Sequence, residues 1–126
     1  MYRVGVRDHV MIAHSLPSPT FGPAQGMHGA TYVIDLVFSR ENLDADNIVV
    51  DIALAHDVLG AVKQELNYQN LDELETFAGK LTTTEFLARH IHLRVGERLG
   101  GAFAGQLKVV LNESHVAWAS YEGPVG

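Results

Sequence analysis

The sequence predicts an α+β fold: a four-stranded antiparallel sheet with two helices on one face, in the order ββααββ. Two segments near the start and two near the end alternate apolar and polar residues with the period of a strand. Between them lie two stretches in which apolar residues recur at steps of three and four, as on one face of a helix. Elements in this order build one sheet that is covered by its helices on one side. With 126 residues, we expect a single domain over 1–126.

The first two strands are separated by a loop that is rich in proline and glycine. Residues 2–14 read as a strand, residues 15–26 hold three of the four prolines, and residues 30–38 alternate as a second strand. The alternation places His28 and Ala30 on one face with Tyr32, Ile34, Leu36 and Phe38. We expect the strand aromatics to lie in the core: Tyr32, Phe38, Trp118 and Tyr121.

The two helices carry capping signals at their N-termini. Asp51 precedes a helical stripe formed by Ile52, Ala55, Leu59, Val62 and Leu66. The segment TTTE opens the second helix, where Thr82 and Glu85 have the spacing of a capping box and predict that Thr82 caps it. After Gly100 and Gly101, two further strands are predicted over 106–113 and 115–122.

Composition excludes several classes of function. Nine basic against fifteen acidic residues give a net charge of −6, which argues against a nucleic-acid partner. The absence of cysteine excludes disulfides, thiolate metal sites and a cysteine nucleophile. No apolar run approaches the roughly 20 residues that span a bilayer, so no membrane partner is expected. With no export signal at the N-terminus, we expect a cytoplasmic protein.

A four-stranded open sheet has two edges that could pair with other chains. Unpaired edges of this kind are a liability for a monomer. Association into a closed ring would remove both edges, so we expect a homo-oligomer.

The order of elements, together with the segments MIAHSL, HGATY, IVVDI, TTTEFLA and LNES, resembles the 6-pyruvoyl-tetrahydropterin synthase family. Its relatives include the bacterial 6-carboxy-tetrahydropterin synthases of queuosine biosynthesis. The resemblance runs in order through nearly the whole chain. It implies the tunnelling fold (T-fold), in which trimers close a twelve-stranded barrel and two trimers stack. A hexamer built as a dimer of trimers is therefore expected.

The chain departs from the family where the metal and the reaction are concerned. Three family histidines hold zinc; His14 and His28 match two of them, and Ala30 stands at the third position. Ala24 stands where the family has its cysteine, and Leu66, Asn67 and Tyr68 replace a leucine-aspartate-histidine motif. We therefore expect no cofactor, with zinc absent or weakly held at the residual positions. His14, His28 and Tyr68 remain candidates for a different proton transfer.

The ring-binding residues of the family are matched. Its pterin is gripped by a glutamate after the third strand, which corresponds to Glu113, and by a threonine that corresponds to Thr83. A carboxylate suits the amino and ring N–H groups of a pterin, because it accepts two hydrogen bonds along that edge. The resemblance thus implies a pterin-like or purine-like small molecule as the partner.

Three functional interpretations remain open. The first is a homologue that binds such a ring but lacks the groups for the family's lyase reaction on dihydroneopterin triphosphate. The second is an active lyase that recruits the missing groups from a neighbouring subunit. The third is a structural oligomer without a small-molecule ligand. Whether the chain is an enzyme, and which ligand is natural, are not readable from these residues.

Overall fold

The computed structural model describes all 126 residues and contains five strands and two α-helices. In chain order they are β1 (Tyr2–His14), β2 (His28–Arg40), α1 (Ile52–Leu66), β3 (Gln69–Asn70), α2 (Thr84–Leu99), β4 (Gly105–Asn112) and β5 (Trp118–Val125). Three short 3-10 segments cover Pro19–Gln25, Leu71–Glu73 and Glu75–Phe77.

The sheet is mixed, with the order β3-β1-β2-β4-β5. Strands β1, β2, β4 and β5 pair antiparallel, as the alternation predicts, but β3 runs parallel to β1 beside Ile12 and Ala13. The prediction of four antiparallel strands is therefore wrong in this detail. The chain leaving α1 is held against β1 because Asn67 Oδ1 accepts from Met11 N and Tyr68 N donates to Met11 O. A two-residue strand of polar residues carries no alternation by which a sequence could reveal it.

The last strand begins later than its pattern predicts. Strand β5 spans Trp118–Val125 rather than 115–122, because the turn after β4 closes when Glu113 N and Ser114 N both donate to Ala117 O. Register then pairs Asn112 with Trp118. Trp118 falls on the face without helices and is 63% exposed, so its predicted place in the core is wrong.

The core lies between the sheet and the two helices. The face of β2 that the alternation selects is buried, and Ile34, Leu36 and Phe38 have no exposed surface. Helix α1 buries Ala55, Val58, Leu59, Val62 and Leu66 against it, and α2 buries Leu87, Ala88, Ile91, Val95 and Leu99. The opposite face of the sheet is uncovered and polar; there Arg7 donates to Asp35 from Nε (2.6 Å) and Nη2 (3.1 Å).

Each α-helix begins at a side-chain cap. Asp51 caps α1 as predicted, with its carboxylate accepting from Ala53 N at 2.9 Å. Thr83 caps α2, since its hydroxyl accepts from Phe86 N at 3.1 Å. The prediction that Thr82 is the cap is wrong: Thr82 lies one residue earlier, is 1% exposed and points at β1. Three consecutive threonines offer the same capping chemistry, so spacing alone does not select the one with the right backbone position.

The sheet has open edges at which other chains could associate. Beyond Ala13 and Ile12, the outer edge of β1 has no partner strand, and neither has the outer edge of β5. Neither α-helix has the length and apolar composition required to cross a bilayer.

Replacing Thr83 with Ala should reduce the free energy of unfolding by about 1 kcal/mol, the usual worth of an N-cap hydroxyl. Thr83→Ser keeps the oxygen and should stay close to the original stability. Urea denaturation followed by circular dichroism measures both. An unchanged midpoint for the Ala variant would contradict the cap.

Candidate functional site

A cavity of about 210 Å³ lies where the ends of β1 and β2 meet the N-terminus of α2 and the turn after β4. It brings together four of the residues that the sequence analysis selects: His14, His28, Thr83 and Glu113. They come from four separate parts of the chain. The fold therefore assembles the predicted ring-binding and residual ligand positions in one place.

The two histidines face each other because of the hairpin register. The last residue of β1, His14, pairs with the first of β2, His28, and both side chains point to the helix side. Their ring centroids are 4.6 Å apart in an edge-to-face arrangement. His14 Nδ1 lies 2.9 Å from the Thr82 hydroxyl, and His28 Nδ1 lies 2.9 Å from the Gly26 carbonyl oxygen. Both rings are thus oriented by the chain itself.

His14 is held neutral by its surroundings. It is 3% exposed, and burial lowers the pKa of its imidazole below the ordinary value of 6.5. The charge of His28 lowers that pKa further, whereas Asp72, the Thr82 backbone and Glu113 oppose the shift. A neutral imidazole at pH 7 retains one donor and one acceptor nitrogen.

Tyr32 also lines the cavity, although its place in the strand pattern predicts only a core role. Burial raises the pKa of its phenol, the Thr84 hydroxyl lowers it, and Glu113 and Glu85 raise it again. The phenol therefore stays protonated and presents a neutral hydroxyl. Its position in the sequence was the available signal, because Tyr32 lies two residues after Ala30 and shares a strand face with His28.

Asp72 is a second residue near the cavity to which no pattern in the sequence points. Its carboxylate accepts from Ser15 N at 3.1 and 3.2 Å and from Ser15 Oγ at 2.5 Å. These bonds tie the residue after His14 to the 3-10 segment that follows β3. No spacing in the sequence links positions 15 and 72, so only the folded chain reveals the contact.

The structure also defines the surroundings of the two alanines that were compared with the family pattern. Ala24 lines the cavity and Ala30 packs partly buried against the core. Nowhere in the structure do three or more His, Cys, Asp or Glu residues cluster in a way that could hold a metal ion. At this point the chain places two imidazoles side by side, and Ala30 stands at the position that matches the third histidine.

Tyr68 does not join the other candidates. It lies in the turn after α1 with a positive φ of 59°, is 78% exposed and does not line the cavity. Within one chain it cannot act on a molecule held between Glu113 and the histidines. Its predicted catalytic role thus stays a prediction that requires a different arrangement of chains.

Glu113 borders a second, wider cavity of about 610 Å³ on the helix-free face, beside Arg7 and Asn112. Asn112 donates from Nδ2 to the Val33 carbonyl and to Asp35, both at 3.2 Å, which keeps that wall polar and ordered. The Glu113 carboxylate thus stands between two open spaces and is free to accept hydrogen bonds from a ligand.

Comparison with known proteins gives a consistent result. A family model described as 6-pyruvoyl tetrahydropterin synthase matches residues 3–124. The structure is similar to that of the Caenorhabditis elegans 6-pyruvoyl tetrahydropterin synthase, with a TM-score of 0.85 and 22% identity over 97% of this chain and 95% of that one. It is similar to the Plasmodium falciparum enzyme, with a TM-score of 0.80 and 15% identity over 98% of each chain. None of the curated proteins matches the sequence.

We expect the imidazole of His14 to titrate below pH 6.5 in the folded protein, because burial disfavours its charged form. Between the folded-state pKa and about pH 6.5, the unfolded chain binds more protons than the folded one. His14 therefore lowers the free energy of unfolding as the pH falls through this window, and it adds no further change below the folded-state pKa. NMR titration of the ring protons measures the midpoint, with the resonance assigned by its loss in His14→Gln. A midpoint at or above 6.5 would contradict the burial argument.

Proposed function

Because the chain belongs to the 6-pyruvoyl tetrahydropterin synthase family, we propose that it binds a pterin-like or purine-like ring and lacks the zinc centre and lyase residues of its relatives. One observation carries the proposal: Glu113 lines the same cavity as His14 and His28, while the third ligand position holds Ala30. The recognition half of the site is retained, and its reactive half is replaced.

The ring anchor is the Glu113 carboxylate. A 2-amino-4-oxo pyrimidine edge presents two N–H donors, and a carboxylate accepts both in a fork. Each such bond contributes roughly 1.5–3 kcal/mol, because one partner is charged. Thr83 lies in the same wall of the cavity, but its hydroxyl already accepts from Phe86 N. Its hydroxyl hydrogen and its second lone pair remain for the ring.

The residues present do not fit a zinc ion. A catalytic zinc site uses three protein ligands and leaves one position for water or substrate. His14 and His28 supply two; Glu113 and Glu85 line the same cavity, but no group of three such side chains is arranged to hold a metal ion. No step of a mechanism for this chain is therefore assigned to a metal.

The family reaction also needs a group that moves protons. Ala24 lines the cavity at the position that matches the family's cysteine, and a methyl group cannot act as acid or base. A positioned acid or base contributes about 10²–10⁴-fold to a rate. A single chain with this cavity is consequently a binding protein rather than a lyase.

The alternative is an active lyase that takes its missing groups from a neighbouring subunit. The open edges of β1 and β5 favour it, because they allow chains to associate. Association through these edges, as a ring or as a hexamer made of two trimers, would bring residues of other copies, such as an exposed Tyr68, towards the cavity. Incubation with dihydroneopterin triphosphate and added zinc tests this alternative; formation of product supports it over the binding function. The expected single domain and the expected cytoplasmic location do not discriminate between binding and lyase activity.

Replacing Glu113 with Gln should weaken binding of a pterin such as neopterin at least tenfold, because the second acceptor oxygen and the charge are lost together. Isothermal titration calorimetry measures the affinity, and Glu122→Gln on the exposed face of β5 serves as the control. Equal affinity in Glu113→Gln and the unchanged protein would refute the anchor. Absence of binding to any pterin or purine would favour a structural oligomer.

Light scattering at micromolar concentration should give a mass that is a multiple of 13.8 kDa, because pairing of the open edges of β1 and β5 removes unpaired backbone groups. Ser120→Pro, within β5, should shift the distribution towards single chains, since it removes a backbone donor. A monomer for the unchanged protein would rule out the ring.

A further inference from the structure

We propose that Thr82 is a positioning residue that keeps the proton of His14 on Nε2, so that the histidine pair presents one donor and one acceptor to the cavity. This rests on the proposed function in one respect, that the His14–His28 end of the cavity works without a metal. It goes further by stating which nitrogen carries the proton in each ring, and therefore which chemical group the cavity receives.

The tautomer of His28 follows from its partner. Its Nδ1 lies 2.9 Å from the Gly26 carbonyl oxygen, which can only accept a hydrogen bond. The proton of a neutral His28 therefore sits on Nδ1. Its Nε2 then carries a free lone pair and is an acceptor.

The tautomer of His14 follows from the buried hydroxyl beside it. Thr82 is 1% exposed, and His14 Nδ1, at 2.9 Å, is the sole hydrogen-bond partner of its Oγ1. If Nδ1 donated to Oγ1, the hydroxyl hydrogen would be left without an acceptor inside the protein, which is costly. If the hydroxyl donates to Nδ1 instead, both groups are satisfied. The second arrangement places the His14 proton on Nε2.

The free nitrogen of His14 opens to the cavity. No buried side-chain nitrogen or oxygen in the structure lacks a hydrogen-bond partner, and His14 Nε2 has no partner within the chain. Nε2 must therefore keep access to the space that His14 lines. A nitrogen that bears a proton cannot bind a metal ion. Thr82 thus works against metal binding independently of the missing imidazole at Ala30.

The donor and the acceptor define the group that fits this end of the cavity. It accepts a hydrogen bond from His14 Nε2–H and donates one to His28 Nε2. A hydroxyl or a primary amide does both, whereas a carboxylate or a phosphate only accepts and would face the lone pair of His28. We therefore assign the ligand a ring that is held at Glu113 and a neutral substituent that both accepts and donates.

NMR of 15N-labelled imidazoles at pH 8, in protein treated with EDTA, tests the tautomers directly. The expected pattern is a proton on Nε2 of His14 and on Nδ1 of His28. Thr82→Val removes the hydroxyl that donates to Nδ1, so the His14 proton should then populate Nδ1, and Thr82→Ser should restore the original pattern. A proton on His14 Nδ1 in the unchanged protein would overturn the inference.

A gain of zinc binding provides a second test. Ala30→His adds the third imidazole, and adding Thr82→Val should then tighten zinc binding about tenfold, since one buried hydrogen bond no longer holds the proton on Nε2. Adding Thr82→Ser to Ala30→His should leave zinc affinity unchanged. Equal affinities in the Val and Ser backgrounds would count against the role of Thr82.

The two proposals fail in distinguishable ways. One zinc per chain in the unchanged protein, purified without a chelator, would refute the metal-free site of the proposed function. The tautomers are measured in metal-free protein. A zinc ion found in the unchanged protein would therefore not affect that measurement, which alone decides whether Thr82 positions the His14 proton.

Discussion

The pairing of β1 with β2 is the constraint on which the rest of the structure depends. Its register runs without a break from Tyr2 opposite Arg40 to His14 opposite His28. Because side chains alternate between the faces of a sheet, a slip of one residue would move the buried side chains of β2 to the polar face. The same slip would separate the two imidazoles. The core and the candidate site are therefore specified by one set of backbone hydrogen bonds.

The three threonines before α2 connect that hairpin to the helix layer. Thr82 contacts His14 on β1, and Thr83 caps the helix. The Thr84 hydroxyl lowers the pKa of the Tyr32 phenol on β2. Each neighbour points in a different direction because the chain is extended at Thr83 and then turns into the helix. A short polar segment thereby holds the N-terminus of α2 against the ends of both strands. In this way contacts within the chain orient the side chains of the cavity.

The resulting cavity is polar but weakly charged at its histidine end. His14 stays neutral because it is buried, and Tyr32 stays protonated for the same reason. Two carboxylates, Glu113 and Glu85, line the same cavity. Under the proposed function, this distribution suits a neutral molecule that offers hydrogen-bond donors to a carboxylate.

Much of the fold and part of the site could be predicted from local pattern. Alternation over 30–38 placed Ile34, Leu36 and Phe38 in the core, and the position of Asp51 at the start of the helical stripe marked it as a cap. The family resemblance grouped Glu113 with the two histidines. Prediction from local pattern failed where the pattern was too short or too degenerate. This was the case for the two residues of β3, for the choice among three threonines, and for the late start of β5 that exposes Trp118.

By itself, the sequence determined which residues alternate, which recur at helical steps, and which ligand positions hold alanine, because these properties belong to single positions or near neighbours. The tertiary structure alone decided that Thr82 meets His14, that Asp72 meets Ser15, and that Tyr68 stays outside the cavity. These contacts join positions far apart in the chain. They depend on how the strands, the helix and the loops close on one another, and that geometry is set by packing of the whole core rather than by any local run of residues.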